Sequence, residues 1–208
     1  MEILNKIKNS MIYSTASLRR SKLSNPNITI ISNNCWGGMV SKSFGLRYNS
    51  PTAGLFIMSD DYIIFLNDLE NYLKEKLVFI DPKDSKHSEY FRKKNIEVNY
   101  PVGLLKDIEI FFVHYASEEE AKKKWERRTK RVDLNNLLVK ISEQNDFTSK
   151  TLEDFSALKY DKKIAFVGSD YKGKEVHRVV KFKKNEDKDL DINAEPRITK
   201  AMIDLINR

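Results

Sequence analysis

The stretch Ile28–Thr52, ITIISNNCWGGMVSKSFGLRYNSPT, decides the fold reading. Its opening run, Ile28–Ile31, is short, apolar and β-branched, which predicts a strand. Two amides, a thiol, an indole and two glycines follow at once: Asn33, Asn34, Cys35, Trp36, Gly37 and Gly38. In open α/β sheets ligands bind outside the carboxyl ends of the strands, so this strand-end loop is a candidate site. Gly37 and Gly38 permit backbone angles and close ligand approach that side chains forbid. Ser50, Pro51 and Thr52 add hydroxyls and a stiff turn before the next strand. The common phosphate loops are absent. A GxGxxG pattern lacks its second spaced pair of glycines, the P-loop lysine is replaced by Met39-Val40 after Gly38, and no GxSxG elbow occurs.

Outward from this stretch, short apolar runs alternate with helical patterns. Strands are expected at Asn27–Ser32, Ala53–Met58, Lys76–Ile80, Asp107–His114, Leu137–Ile141 and Lys163–Gly168. Helices are expected at Asp60–Lys74, Ser117–Arg131, Thr151–Leu158 and Pro196–Ile206. This alternation predicts a single α/β domain over 1–208, with a mostly parallel, Rossmann-like sheet covered by helices on both faces. Asp81–Val98 reads as a polar excursion between strands and Asn185–Asn193 as an acidic surface loop.

The chain has 208 residues, 40% hydrophobic and 32% charged, with 7 Gly and 5 Pro, which excludes collagen-like and disordered classes. One Cys and 3 His exclude an internal disulfide and argue against a resident metal centre. No export signal or bilayer-length apolar segment is read, so a cytoplasmic protein is expected. The N-terminal segment interleaves Lys6, Lys8, Arg19, Arg20 and Lys22 with Ile3, Leu4, Ile7, Met11 and Leu18. It reads as a helix packed on its own domain or as a contact with the inner membrane surface. The net charge of +7 favours anionic partners without choosing among them. The densest basic run is Lys122–Arg131, KKKWERRTKR, preceded by Ser117-Glu118-Glu119-Glu120. Ser117 with Glu120 is a capping-box spacing, and early acids with late bases suit the helix dipole. The run is first a well-made helix, and some of Arg127, Arg128 and Arg131 are its candidate phosphate ligands.

Cys35 is the candidate nucleophile, with His114, at the end of IEIFFVH, as its base. Asn33 or Asn34 would orient the imidazole or donate to an oxyanion. The alternatives are a buried, inert thiol and a non-covalent site in which His114 alone is the general base. Trp36, Tyr115, Trp125, Asn33, Asn34 and Asp61 together form an inventory suited to a sugar, which needs aromatic platforms, amides and acids. Each Trp could equally belong to the core, and Asp60-Asp61 could simply serve the helix dipole. His87 and His177 receive no role.

The ordered blocks ISNNCWGG, FGLRYNSPTAGLFI, DYIIFLNDLENYL, YPVGLL with DIEIFFVHY, and EEAKKKWERRTKRVDLNNLLV resemble a bacterial domain family of unknown function. Its members are commonly encoded in capsular and exopolysaccharide gene clusters, and some are labelled acetyltransferase or polysaccharide biosynthesis protein. The resemblance covers roughly 28–168, with helical extensions on either side. It implies a signature of Asn33, Asn34, Cys35, Trp36, Gly37, Gly38, Ser50, Pro51, Thr52, Asp61, Tyr62, His114, Tyr115, Trp125, Arg127 and Arg128. It further implies an enzyme of surface-polysaccharide assembly acting on a sugar, nucleotide sugar or lipid-linked glycan. Transfer would be acyl- or glycosyl-type, with acetyl-CoA or a nucleotide sugar as donor. A non-catalytic carbohydrate- or phosphate-binding module is the second expectation. Nucleic-acid binding, resting on charge alone, is the third and is not favoured.

Overall fold

A computed structural model describes residues 14–168, 179–182 and 200–208. It contains two four-stranded sheets. The first is wholly parallel, in the order β1 (Thr29–Ser32), β6 (Leu137–Ser142), β7 (Lys163–Gly168), β8 (Val179–Phe182). The second is antiparallel, in the order β2 (Phe56–Ile57), β5 (Ile108–Phe111), β4 (Val102–Leu105), β3 (Val78–Ile80). The α/β class and the parallel sheet agree with the sequence reading, but a single mostly parallel sheet does not. Half of the expected strands form the antiparallel sheet. The reason is local: β4 and β5 are joined by only Lys106 and Asp107, with Leu105 paired to Ile108 and Lys106 at φ +60°. A two-residue connection makes a hairpin, whereas parallel neighbours need a crossover of a dozen residues or more. The sheets meet where the Ile57 N–H donates to Asn33 O at 3.1 Å, just beyond the end of β1.

Strands β1, β6 and β7 are buried on both faces, with side chains alternating between two cores. After the short helix α1 (Ala16–Arg20), Ile30, Leu138, Ile164 and Phe166 pack with Trp36 and Val40 of helix α2 (Trp36–Ser43), with Phe44 just past its end and with the C-terminal helix Lys200–Ile206. Ile31, Val139, Ala165 and Val167 face the other way. They meet Tyr62, Phe65 and Leu66 of α3 (Ser59–Asn67) and Leu152 and Phe155 of α7 (Ser149–Ala157). This second core continues across Ile108, Ile110 and Phe112 to Trp125 of α6 (Glu118–Thr129). The helix expected over Asp60–Lys74 is instead two, because Asp68 at φ −137° and ψ 41° separates α3 from α4 (Leu69–Tyr72). The excursion Asp81–Val98 is structured, with a 3₁₀ turn at Pro82–Asp84 and α5 at Ser88–Lys93. Of the expected tail helix, residues 200–206 are helical, while 196–199 and the acidic loop 185–193 lie outside the described residues. Among the described residues no helix is long and apolar enough to cross a membrane.

Candidate functional site

Cys35 opens α2 directly beyond β1, and the sequence around it explains how closely that helix lies on the sheet. A Cβ on Gly37 would come within 2.8 Å of Ser32 Oγ and 3.1 Å of Ile30 O, so only glycine fits there. Ser32 Oγ accepts from the Gly37 N–H, and Asn34 Oδ1 accepts from the Trp36 N–H, which satisfies two first-turn donors of α2. Beneath this turn lies Lys140, a fully buried lysine that interrupts the apolar run of β6. Its Nζ donates to Asn34 Oδ1 at 2.9 Å and to Ser142 Oγ, and it lies 5.5 Å from the Trp36 ring and 5.1 Å from that of Phe166. The Asn34 amide also donates to Gln144 Oε1 at 2.7 Å. Asn33 extends the β1–β6 ladder through its side chain, accepting from Ser142 N–H and donating to Ser142 O. Thr52 Oγ1 accepts from the Ser32 N–H and bonds Ser50 Oγ, closing the other edge of β1.

The structure therefore divides the sequence-derived residues. Asn33, Asn34, Trp36, Gly37, Ser50 and Thr52 are buried and form a polar frame under the loop. Cys35, Gly38, His114, Tyr115 and Arg128 line one open cavity of about 690 Å³. Asp61 and Trp125 are not among its lining residues, and Arg127 is exposed on α6. Trp125 packs edge-on against Phe112 in the core. Asp61 is nearly buried and clasps the excursion: it accepts from Lys86 Nζ at 2.6 Å, pairs with His87 Nε2 at 3.0 Å, and accepts from the Glu109 N–H at 2.9 Å. Burial alone would raise the Asp61 pKa, but these three bonds outweigh it and hold the carboxyl below its ordinary 3.8. The sequence reading gave His87 no role because its neighbours in the chain are charged and polar. Its partner lies 26 positions away.

Tyr48, Lys42 and Lys124 complete the cavity wall where the sequence reading had not placed them. Lys124 had a legible signal, since it lies one turn before Arg128 on the same face of α6. Half of the expected capping box forms: Ser117 Oγ accepts from the Glu120 N–H, while the Glu120 carboxylate accepts from the Ala116 N–H in place of that of Ser117. Gly54, at φ +85°, turns the chain in a conformation that favours glycine, beside Tyr115 and His114. Ala53 O just before it accepts from Tyr115 Oη at 2.6 Å and from Arg128 Nη1 at 2.8 Å. Arg128 Nη1 also meets Tyr115 Oη at 2.5 Å.

Arg128 is the unusual group here. It is only 7% exposed, yet it forms no ion pair among the described residues. Nη1 is spent on Ala53 and Tyr115, and the guanidinium lies 5.0 Å over the Tyr48 ring. The opposite edge, Nε and Nη2, has no hydrogen bond among the described residues, and Nε is buried. That edge is the planar fork which matches a carboxylate or phosphate with two parallel bonds. No carboxylate lines the cavity, and the nearby Glu120 is bound to Lys124 Nζ.

Burial pushes the Cys35 thiol up to about 11, against the lowering charge of Lys140, so it is a neutral donor at neutral pH, 3.6 Å from Leu55 O. Burial likewise raises the Tyr115 hydroxyl against the Arg128 charge, keeping it protonated. The exposed His114 imidazole makes no hydrogen bond among the described residues. The cavity wall thus holds a guanidinium, two lysines of which Lys124 is paired with Glu120, two phenol rings, an imidazole and a neutral thiol.

A Haemophilus influenzae protein described as uncharacterized is 32% identical over 164 residues, covering 79% of this chain and 72% of that protein. The family model described as domain of unknown function (DUF1919) matches residues 6–204. The chain belongs to this family of domains of unknown function.

Proposed function

We propose that the protein is a transferase of surface-polysaccharide assembly, with the cavity at Arg128 as the seat of an anionic, phosphate-bearing donor such as a nucleotide sugar or a lipid-linked glycan. The observation that carries this reading is the nearly buried Arg128 guanidinium, which forms no ion pair among the described residues and lines a cavity with no carboxylate among its lining residues. A nearly buried cation with no direct ion pair is costly, and an anionic ligand offsets that cost. Tyr48 and Tyr115 give rings for a sugar face, and the polysaccharide context comes from the resemblance of the sequence blocks.

In this reading His114 takes the proton of an acceptor hydroxyl whose oxygen bonds to the transferred carbon. The bond from that carbon to the donor's phosphate oxygen breaks, and the phosphate leaves with the electron pair, stabilised by Arg128 and the lysines. Cys35, held protonated, is a wall of the pocket in this scheme. The test is thermal unfolding with nucleotide sugars, acetyl-CoA, nucleoside diphosphates and neutral sugars. A ligand at 100 times its Kd adds about 2.7 kcal/mol. We expect stabilisation by a nucleotide sugar and none by neutral sugars, with the shift lost in Arg128→Gln. Stabilisation by acetyl-CoA alone would move the chemistry to acyl transfer. A flat panel would contradict the reading. In turnover, His114→Ala should abolish transfer while ligand still binds; unchanged turnover would remove His114 as the base.

A further inference from the structure

Resting on the anion-site reading above, we infer that the cavity takes a diphosphate ester, with one phosphoryl group on Arg128 and Lys124 and the second on Arg131 and Arg47 at the rim. Lys124, Arg128 and Arg131 recur at the four- and three-residue spacing that puts them on one face of α6 and its end. Arg131 follows the helix in a turn whose N–H donates to Arg128 O at 2.9 Å, which keeps the two arginines in neighbouring turns. Arg131 is tied to the cavity by Nη1, which donates to Tyr48 O at 3.3 Å. Arg128 stacks on the ring of the same Tyr48, and Arg47 is the residue before it. Tyr48 thereby sets the inner and outer cations side by side.

Lys124 is paired with Glu120, but the outer group has no such partner. Arg47, Arg127 and Arg131 form no ion pair with a carboxylate among the described residues. Partial desolvation and the charges of Arg47, Arg127 and Arg128 hold the Arg131 pKa below its ordinary value, as expected for cations crowded without an anion. A single phosphate would satisfy the Arg128 fork and leave this rim unused. A diphosphate places charge at both positions. Nucleotide sugars, lipid-linked glycans and coenzyme A all carry that group, so the shared chemistry is the diphosphate ester and the source is a separate question.

The experiment is calorimetric titration of the full chain at constant ionic strength with inorganic phosphate, inorganic pyrophosphate and citrate. Citrate is the control for charge without the phosphoryl geometry. We expect pyrophosphate to bind about tenfold or more tighter than phosphate, the factor of one charge-assisted contact, and citrate to bind far more weakly. In Arg47→Ala/Arg131→Ala, pyrophosphate should fall to the level of phosphate while phosphate affinity stays within about twofold. Equal binding of phosphate and pyrophosphate, an unchanged ratio in the double variant, or citrate as tight as pyrophosphate would overturn the diphosphate inference and leave the anion site standing. No binding of any of the three would overturn both. Uridine diphosphate, farnesyl diphosphate and coenzyme A form the source arms. At least one should bind no more weakly than pyrophosphate, and the tightest identifies nucleoside, lipid or coenzyme. All three binding about tenfold more weakly than pyrophosphate would overturn the ester.

Discussion

At the scale of single residues, two side chains carry opposite chemical messages. Cys35 sits where a nucleophile would be looked for, at the mouth of a strand-end loop, yet its thiol is pushed up to about 11 by burial. Alkylation by iodoacetamide should therefore accelerate about tenfold per pH unit from neutrality to about pH 10, following the thiolate fraction. A rate that levels off near neutral pH would restore the thiolate nucleophile. Arg128 matters through its shape as well as its charge. Arg128→Lys keeps a cation but loses the planar fork, and should weaken binding of a phosphate-bearing ligand about tenfold or more. Titration of the folded variant checks this, and unchanged affinity would mean that charge alone holds the ligand. The sequence singled out Cys35, His114, Tyr115 and Arg128, all of which line the cavity. Asn33, Asn34, Ser50 and Thr52 looked equally chemical, and they complete the backbone bonding of β1 and of the loop beyond it. Composition does not distinguish these uses, because a polar group at a buried strand end is needed for either.

At the scale of elements, what was legible depended on how local the determinant is. The Ser117–Glu120 spacing located the start of α6, and the apolar run Ile28–Ile31 located β1, because each signal lies within a few residues of the element it makes. β4 escaped notice, since Pro101 and Gly103 interrupt its pattern and it is held by pairing with β5 and β3. Lys140 escaped for a related reason: the loop residues it meets, Asn34 and Trp36, are more than a hundred positions away. Two predictions belong here. Gly37→Ala pushes a Cβ against Ser32 and Ile30 of β1 and should cost about 1–3 kcal/mol. A Tm fall of about 2–4 °C per kcal/mol would register it, whereas an unchanged Tm would mean that α2 does not need its close seat. Asp61 fastens the 81–98 excursion to β5, and its carboxyl is held below 3.8 in the fold. Its contribution is present above that value and is lost as pH falls through the lower folded pKa. The stability difference between the wild type and Asp61→Asn should thus be constant above about pH 5 and shrink below about pH 4. Urea unfolding across that range measures it, and a pH-independent difference would contradict the ionised clasp.

At the scale of the whole molecule, a parallel and an antiparallel sheet meet at β1 and β2, and the cavity opens beside that junction. Residues from the β1 end, the loop before β2, the segment after β5 and helix α6 converge there. No single stretch of sequence shows such a site, because it is assembled from residues 35–128 by the packing of α6 against the second sheet. The excess of basic residues becomes specific only at this scale, as a wall without a carboxylate around a guanidinium whose fork has no partner. The most direct test is the arginine ¹⁵Nε–¹Hε spectrum, with the Arg128 resonance assigned by its loss in Arg128→Lys, recorded before and after addition of pyrophosphate. The account predicts that the Arg128 Hε resonance moves downfield on saturation and that its exchange with water slows. An Arg128 resonance that stays in place while those of exposed arginines move would show that the anion binds elsewhere and would contradict the account.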